Sequence, residues 1–233
     1  ANGFGGWDGT YRGYGGLEAI PVPADYDGDH KADLSVKTTA GVWYIDYAHN
    51  GFGTWDAQFV GYGDASARPV PADYDGDGKA DLSVWDDFGV WHIDYARNGF
   101  GTWEVHVLSG FNGPTAEPVP ADYDGDGKAD LSVKNDSGGW IIDYACDGFG
   151  PWDVGFSSSG GATARPVPAD YDGDGKADLS VKEDAGTWRI DYAANGFGVW
   201  DASFVSVAGR PIPGNYNLTA GADLAVRADC GPW

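Results

Sequence analysis

A twelve-residue segment, DYDGDGKADLSV, recurs at nearly even spacing and limits the folds open to this chain more than any other feature. Three copies are identical, and a fourth reads DYDGDHKADLSV. A period in the forties, with several short strands in each unit, is typical of the blades of a β-propeller. The first residues of the copies are Asp25, Asp73, Asp122, Asp170 and, in a divergent fifth copy, Asn215, which lie 48, 49, 48 and 45 residues apart.

Each repeat unit divides into four short segments with strand patterns. In the second unit these are ARPVPADY (67–74), DLSVW (81–85), VWHIDYA (90–96) and TWEVHVLSG (102–110). Apolar and polar residues alternate within them, and no segment has the period of a helix. We therefore predict an all-β fold: a single domain over residues 1–233, built as a five-bladed β-propeller of four-stranded antiparallel blades.

The two ends of the chain carry complementary parts of one repeat unit. Residues 210–233 match the first half of a unit, and residues 1–16 match the end of a unit at 194–209. We expect the last blade to be closed by both chain termini, because a closed ring leaves no exposed sheet edge. No segment corresponds to the third strand of that blade. A three-stranded blade, repacked ends, missing residues or a second molecule are the alternatives.

The net charge of the 233-residue chain is −22, which argues against nucleic acid and anionic membranes as partners and favours cation binding. No apolar run approaches the roughly 18 residues of a membrane span. The absence of an initial methionine and of a leader segment favours a processed chain or a fragment, and we expect a secreted, extracellular protein without membrane insertion. The two cysteines, Cys146 and Cys230, are expected to be unpaired.

The acidic segment places aspartates at loop positions 1, 3, 5 and 9, with glycine at position 4 to allow a sharp turn. Such carboxylates repel one another unless a divalent cation lies between them, and Ca²⁺ is the best candidate for oxygen ligands. The lysine at position 7 is expected to contribute its backbone carbonyl. We predict four Ca²⁺ sites, with ligands Asp25, Asp27, Asp29, Lys31 and Asp33; Asp73, Asp75, Asp77, Lys79 and Asp81; Asp122, Asp124, Asp126, Lys128 and Asp130; and Asp170, Asp172, Asp174, Lys176 and Asp178.

The alternative for these loops is a set of acidic, Asx-type turns without metal. Four copies that each retain all four aspartates favour metal binding over that alternative. In the first loop His30 replaces the glycine at position 6, which is expected to weaken the site. The fifth loop, NYNLTAGAD (215–223), keeps only its last aspartate, Asp223, and we predict no strong site there.

The segments PVPADYDGDGKADLSV and GVWHIDYA resemble the FG-GAP/VCBS repeat of integrin-α-like propellers across essentially the whole chain. That resemblance implies that the acidic loop joins the first two strands of each blade and binds Ca²⁺. The segment NGFGTW also resembles, more loosely, a turn in lectins of the same propeller type. Together the two resemblances imply a calcium-stabilised propeller and a multivalent glycan binder.

The segment NGFGxW is the best candidate for recognition, because sugars are bound by aromatic platforms and by carboxylate or amide groups. The alternative is that Asn-Gly forms a turn while Phe and Trp join the outer strand to the next blade. A further copy at the N-terminus contains Asn2, Phe4 and Trp7. The candidate sugar-binding residues are Asn50, Phe52, Trp55, Asn98, Phe100, Trp103, Asp147, Phe149, Trp152, Asn195, Phe197 and Trp200.

Two further residues recur in the third strand of each unit. The tryptophans Trp43, Trp91, Trp140 and Trp188 are predicted to form the core between blades. The aspartates Asp46, Asp94, Asp143 and Asp191 lie on the opposite face and either bind ligand or, as we favour, pair across the hairpin with Lys37, Lys134, Lys182 and Arg227.

The repetition itself favours binding over catalysis, because an active site is normally singular. The four histidines occupy four different repeat positions, so spacing indicates no triad or ligand set. We therefore predict no enzyme activity, and instead a secreted, calcium-binding, multivalent carbohydrate-binding protein whose partners are glycans or glycoproteins. The alternative is a non-catalytic adhesion or scaffold domain of a larger extracellular protein that binds protein partners.

Overall fold

The computed structural model describes residues 9–110, 116–157, 160–216 and 220–227. Within these ranges the chain forms 18 β-strands and four single-turn 3-10 helices, and no α-helix. The described residues form five separate antiparallel sheets that follow one another along the chain. The all-β prediction is therefore confirmed.

Sheets one to four each contain four strands in the order in which the chain forms them. Sheet five contains two described strands. The strands are β1 (Ile20–Pro21), β2 (Leu34–Lys37), β3 (Val42–Asp46) and β4 (Ala57–Val60); β5 (Arg68–Pro69), β6 (Leu82–Trp85), β7 (Val90–Asp94) and β8 (Val105–Leu108); β9 (Glu117–Pro118), β10 (Leu131–Lys134), β11 (Trp140–Asp143) and β12 (Val154–Phe156); β13 (Ala164–Pro166), β14 (Leu179–Glu183), β15 (Thr187–Asp191) and β16 (Ala202–Val205); β17 (Arg210–Pro211) and β18 (Val226–Arg227).

The first strand of each sheet is shorter than the sequence pattern predicts. In sheet two, β5 covers only Arg68–Pro69, because the proline lacks the amide that would continue the ladder. An isolated bridge between Ala72 and Asp81 continues the pairing up to the acidic loop. The acidic loop therefore closes the hairpin between β5 and β6, and the equivalent bridges place the other loops in the same way.

The hydrophobic core lies between consecutive sheets. Trp91 and Ile93 of β7 pack in one cluster with Leu131 and Val133 of β10, and all four side chains are fully buried. The predicted core role of the third-strand tryptophans is confirmed, since Trp43, Trp91, Trp140 and Trp188 are at most 1% exposed. Each sheet thus uses its neighbour to bury its apolar face, which is the packing of a propeller.

A 3-10 turn follows the third strand of each four-stranded sheet. In sheet two it covers Ala96–Asn98 and ends at Gly99, whose φ of +74° suits glycine far better than residues with a side chain. This is the Asn-Gly turn that the sequence predicts. It directs the chain outward to the NGFGxW segment and then into β8.

The predicted closure of the last blade falls mainly on residues outside the described ranges. Residues 1–8 and 228–233, which include Asn2, Phe4, Trp7 and Cys230, are among these. Sheet five therefore consists of β17 and β18 in the described part of the chain. Cys146, as expected, is a free and exposed cysteine. None of the described residues forms a helix of the length and apolarity that crossing a bilayer requires.

Candidate functional site

The acidic loop between the first two strands brings three carboxylates together in each of sheets one to four. In the second loop, residues 73–81, oxygens of Asp73, Asp75 and Asp81 lie within 4.8 Å of one another. Carboxylates this close repel one another, so the group suits a cation that prefers oxygen ligands. The equivalent groups in loops three and four are Asp122, Asp124 and Asp130, and Asp170, Asp172 and Asp178. In loop one the group is instead Asp25, Asp27 and Asp29, at positions 1, 3 and 5.

Backbone amides hold the second loop in this shape. Asp73 accepts hydrogen bonds from the amides of Gly76 at 2.7 Å and Gly78 at 2.8 Å. Asp75 accepts a further one from the amide of Asp77 at 3.1 Å. Gly76 adopts a φ of +80°, which would strain a residue with a side chain. The Asx-type turns of the alternative interpretation are thus present, and they are compatible with a metal because they orient the carboxylates toward one point.

The aspartate at position 9 joins each loop to the rest of its sheet. Asp81 is fully buried, and its two oxygens accept hydrogen bonds from the amides of Tyr74 and Ala96, each at 2.8 Å. Burial, assisted by the charges of Asp75 and Asp73, raises the pKa of Asp81 to about 7. A bound cation would offset this penalty on the ionised form. The same pair of hydrogen bonds is formed by Asp33, Asp130 and Asp178.

The residues at positions 5 and 7 contact each other. Asp77 accepts a hydrogen bond from the amide of Lys79 at 2.9 Å, and in the first loop the ammonium of Lys31 lies 2.7 Å from Asp29. In loops two to four the position-5 carboxylate is outside the group of three. The role of the lysine carbonyls stays a prediction. The remaining position-5 and position-7 pairs are Asp126 with Lys128 and Asp174 with Lys176.

A side chain from the 3-10 turn contacts the position-3 aspartate in three of the sheets. In sheet two, Nη1 of Arg97 lies 2.7 Å from Oδ2 of Asp75, whose side chain is only 4% exposed. This guanidinium therefore occupies an oxygen that a metal would use. The pattern could not be recognised from the sequence, since the residue differs in every repeat. The equivalent pairs are His49 with Asp27 and Cys146 with Asp124, and sheet four has Ala194 at this position.

Consecutive acidic loops also contact each other. The amide of Ala80 in loop two donates a hydrogen bond to the carbonyl of Asp25 in loop one at 2.7 Å. The stem of Lys79 packs over Gly28, where an added Cβ would lie 3.2 Å from Cγ of the lysine. The shape of each loop therefore depends on the next loop along the chain. The equivalent hydrogen bonds run from Ala129 to Asp73, from Ala177 to Asp122 and from Ala222 to Asp170.

The aromatic residues of the NGFGxW turns pack against the preceding sheet. In sheet two, the ring of Phe100 lies 5.1 Å from that of Phe59, and the ring of Trp103 lies 4.6 Å from that of Tyr62. Both turn side chains are half-buried by these contacts. The turn aromatics therefore join neighbouring sheets, as the alternative interpretation holds, but they pack on the preceding sheet rather than on the next one. Half-buried in the same way are Phe52, Trp55, Phe149, Trp152, Phe197 and Trp200.

The polar residue of the turn contacts its own segment. Nδ2 of Asn98 donates to Glu104 at 2.7 Å, and Glu104 also accepts the amide of Tyr95 at 2.9 Å. This Asn-to-carboxylate contact closes the turn on itself. The equivalent contacts join Asn50 to Asp56 and Asn195 to Asp201, whereas Asp147 replaces the asparagine in sheet three.

The prediction that third-strand aspartates pair with second-strand lysines is wrong. Lys37 lies opposite Trp43, and its ammonium donates to the carbonyl of Asp64 at 2.8 Å. Asp46 instead accepts the amide of Gly53 at 2.8 Å. The strand register separates the two charges, which the residue types alone could not reveal. The other sheets show the same arrangement. Hydrogen bonds from the amides of Gly101, Gly150 and Gly198 are accepted by Asp94, Asp143 and Asp191, respectively. The ammonium groups of Lys134 and Lys182 donate to backbone carbonyls.

Two of these aspartates each accept a hydrogen bond from a tyrosine that precedes their sheet in the chain. The hydroxyl of Tyr62, which follows β4 of sheet one, donates to the carboxylate of Asp94 in sheet two. Tyr14 makes the same hydrogen bond to Asp46, and its ring lies 4.4 Å from Trp55. Burial and the hydrogen bond raise the pKa of Tyr14 to about 12. Tyr62 thus connects sheet one to sheet two, and Tyr14 connects the N-terminal segment to sheet one, each through a buried carboxylate.

Strand register brings together two histidines that the sequence spacing separates. His92 of β7 is the register partner of His106 of β8, and their Nδ1 atoms lie 2.8 Å apart. Nε2 of His92 lies 3.0 Å from Oδ2 of Asp86. Spacing along the sequence gave no sign of this contact, because the two histidines occupy different positions of the repeat. Only knowledge of the β7–β8 register could have revealed it.

Shallow cavities open between neighbouring sheets beside the turn aromatics. One of about 230 Å³ is lined by Asp86, Phe88, His92 and Trp103. Each combines aromatic surface with polar groups, as sugar sites do. The others include one of about 410 Å³, lined by Asp75, Arg97, His106 and Phe149 among others, and one of about 210 Å³, lined by Phe156, Asp191 and Trp200 among others.

The fold resembles that of several solved proteins. A lectin from Agrocybe aegerita that recognises non-reducing terminal N-acetylglucosamine superposes with a TM-score of 0.66 at 19% identity, over 89% of this chain and 60% of the lectin chain. BBS1N, solved in complex with ARL6DN, gives 0.58 at 11% identity, over 91% of this chain and 63% of its own. A Bacteroides caccae protein of unknown function gives 0.54 at 11% identity, over 85% and 68%. The chain thus spans less than two thirds of the length of the first two.

Sequence comparison identifies the repeat itself. The profile of the FG-GAP-like repeat matches residues 73–133 and 122–181, which contain the acidic loops of sheets two, three and four. No curated protein matches the chain. Residues 73–181 are therefore similar to FG-GAP-like repeats, and the described residues form propeller-like antiparallel sheets whose fold resembles that of the lectin.

Proposed function

We propose that this protein is a secreted, calcium-binding, multivalent carbohydrate-binding protein without catalytic activity. The observation that carries the proposal is that cavities lined by both aromatic and polar side chains lie between consecutive sheets, on a fold similar to that of an N-acetylglucosamine-binding lectin. Several weak and similar sites on one molecule gain avidity on a glycan-coated surface.

Calcium is proposed as a structural ion in the acidic loops. Three converging carboxylates in each of four loops supply the hard oxygen ligands that Ca²⁺ prefers. Burial raises the pKa of Asp130 to about 7 and that of Asp178 to about 6, so ionisation of these two carboxylates carries a penalty that a nearby cation would offset. A bound Ca²⁺ would supply that charge and stabilise the folded protein by mass action.

Glycan binding is proposed at the cavities between sheets. The cavity beside Trp103 offers aromatic surface for the C–H face of a sugar, and His92 and Asp86 in its lining offer polar groups for sugar hydroxyls. Phe88 lines the same cavity and is 76% exposed, so it is available to a ligand and contributes little to the core. We take N-acetylglucosamine as the first ligand to test, because the lectin of the same fold recognises it.

The test is a glycan array in Ca²⁺, followed by calorimetric titration with N-acetylglucosamine and its oligomers. We expect binding to a defined family of sugars with more than one site per chain. Phe88→Ala should weaken one of those sites by about two- to ten-fold, the loss typical of one aromatic contact. The matched control is Val205→Ala, since Val205 is 86% exposed and lies in the outer strand β16.

A broad array without any bound sugar would reject carbohydrate binding and favour the second candidate, a non-catalytic adhesion or scaffold domain. One observation supports that candidate: BBS1N, which shares the fold, was solved in complex with another protein. Retention of full sugar affinity by Phe88→Ala would show instead that the sugar sites lie elsewhere on the molecule.

We also propose that the chain closes into a ring through its N-terminal segment. Tyr14 contacts Asp46 and Trp55 of sheet one as Tyr62 contacts Asp94 and Trp103 of sheet two. This likeness between the contacts of Tyr14 and Tyr62 supports a closing role for the N-terminal segment. Deletion of residues 1–16 tests this proposal, which requires the melting temperature to fall by several degrees.

A further inference from the structure

The turn that follows the third strand has a different charge in sheet three from that in the other sheets. In sheets one and four an asparagine amide donates to the carboxylate that follows the turn tryptophan: Asn50 to Asp56 at 2.8 Å and Asn195 to Asp201 at 2.7 Å. Sheet two has the equivalent contact to a glutamate. Sheet three has Asp147 at the asparagine position, so a donor is replaced by a third carboxylate.

As a result, three carboxylates converge in sheet three outside the acidic loops. Oxygens of Asp143, Asp147 and Asp153 lie within 4.8 Å of one another, and we name these residues the turn cluster. Asp143 ends β11, Asp147 ends the 3-10 turn, and Asp153 precedes β12. None of the three forms an ion pair with a described cationic side chain.

A second observation indicates a missing partner at the base of the cluster. Asp143 is fully buried, and its Oδ2 accepts the amide of Gly150 at 2.9 Å. Its other oxygen, Oδ1, is buried and has no hydrogen-bond partner among the described residues. An ionised oxygen in that condition is strongly unfavourable unless a cation or a donor satisfies it.

The other sheets provide the comparison. The equivalent oxygens of Asp46, Asp94 and Asp191 are also buried without a partner. In those sheets the asparagine occupies the third position, and the described residues form no group of three carboxylates there. Sheet three alone among them therefore combines the unpartnered buried oxygen with enough anionic ligands for a divalent ion.

We propose that the turn cluster is a divalent cation site, separate from the acidic loops and best suited to Ca²⁺. It shares no residue with the converging group of the third loop, which consists of Asp122, Asp124 and Asp130. Asp143 provides a buried ligand at the base, while Asp147 and Asp153 are exposed ligands at the rim. The open side leaves room for the water ligands that complete the coordination of Ca²⁺.

The test counts Ca²⁺ ions bound to the folded chain by native mass spectrometry, with Ca²⁺ as the sole added ligand. Asp147→Asn restores the asparagine of the other sheets and preserves the Asn-Gly turn. We expect the variant to bind one ion fewer than the wild type. An equal ion count in the two proteins would overturn the proposal.

Two further variants separate this site from the loops. Asp122→Asn weakens the third loop without touching the turn cluster, so its combination with Asp147→Asn should lose two ions. If the loops bind no calcium at all, the wild type should bind one ion and Asp147→Asn none. Asn195→Asp gives sheet four the same three carboxylates and should gain one ion, and an unchanged count in that variant would contradict the role of the third carboxylate.

A thermal measurement provides a second readout. Without calcium, Asp147→Asn should melt at a higher temperature than the wild type, because it removes a repulsive charge and restores a donor to Asp153. With calcium, the advantage should shrink or reverse, because only the wild type gains the additional ion. The same difference in melting temperature with and without calcium would count against the site.

Discussion

At the scale of single residues, the loop aspartates divide into those that shape the fold and those that remain available to a ligand. Asp81 accepts backbone hydrogen bonds at both oxygens and is fully buried. Asp77 is exposed and contacts only its own loop. The two residues lie four positions apart and carry the same charge, but they contribute to stability in different ways.

We predict that Asp81→Asn destabilises the protein even without metal. The amide nitrogen would face a backbone N–H donor, so one buried hydrogen bond is lost and the free energy of unfolding should fall by about 1–3 kcal/mol. Asp77→Asn, as the control, should change it by less than about 0.5 kcal/mol. Urea unfolding of calcium-free protein measures both. Equal effects of the two variants would show that Asp81 acts only as a metal ligand.

Arg97 should compete with Ca²⁺ for the carboxylate of Asp75 in the second loop. Its guanidinium pairs with Asp75, and a metal must displace it to use that oxygen. Because the Arg97 side chain is more than half exposed, water screens the pair to at most about 1 kcal/mol, and Arg97→Ala should tighten Ca²⁺ binding to this loop by about two- to five-fold. Calorimetric titration checks this, with Arg165→Ala as control because Arg165 pairs with Asp184 away from the loops. Weaker binding by Arg97→Ala would mean that the arginine supports the site.

The loop aspartates could be predicted from sequence because four copies repeat them, whereas the turn cluster could not. Asp147 differs from its asparagine counterparts by one functional group and looks like ordinary variation. Its significance depends on the distance to Asp143 and Asp153, which only the fold defines. The prediction that Asp46 pairs with Lys37 was wrong for a similar reason. Residue types indicate which charges are complementary, but they do not indicate the register of the strands that carry them.

At the scale of elements, the contacts between sheets combine apolar packing with one buried polar contact. Tyr62 is 3% exposed, packs on Trp43 and Trp103, and donates its hydroxyl to the buried carboxylate of Asp94. The strands and turns of each unit could be predicted from alternation and Asn-Gly signals. This contact could not, because it joins two units across 32 residues.

We predict that Tyr62→Phe lowers the free energy of unfolding by about 1.5–3 kcal/mol, the range for a hydrogen bond to a charged group. The aromatic packing would be retained, so the loss reports the hydroxyl alone. Tyr44→Phe is the control, because the described residues offer no hydrogen bond to the Tyr44 hydroxyl. Chemical denaturation monitored by tryptophan fluorescence measures the change. An unchanged free energy of unfolding in Tyr62→Phe would show that the hydrogen bond from Tyr62 to Asp94 does not stabilise the folded protein.

At the scale of the whole molecule, the buried loop carboxylates determine how stability responds to pH. The pKa values of Asp81 and Asp130, about 7 when folded, lie above the value of about 3.9 expected for an unfolded chain. The folded protein therefore binds more protons than the unfolded chain between these values. The resulting stability is fully present below about pH 4 and is lost as the pH rises through 7.

We therefore predict that calcium-free protein melts at a higher temperature at pH 5 than at pH 7.5. Calcium should raise the melting temperature strongly at pH 7.5, where the carboxylates are ionised, and much less at pH 5. Thermal unfolding of decalcified protein at the two pH values, with and without added Ca²⁺, gives the four melting temperatures. Greater stability of calcium-free protein at pH 7.5 would contradict the assignment of these raised pKa values.

The hydrogen bond from each acidic loop to the preceding one makes the set of loops a one-dimensional lattice with nearest-neighbour coupling. An ion that orders loop one fixes the Asp25 carbonyl, and with it the Ala80 amide next to the last ligand of loop two. Occupancy should therefore spread between adjacent loops, and a calcium titration should give a Hill coefficient above 1. A substitution that removes a ligand from one loop should lower the Ca²⁺ affinity of the adjacent loops more than that of distant loops. The effect of one loop on another should therefore fall with their separation along the chain.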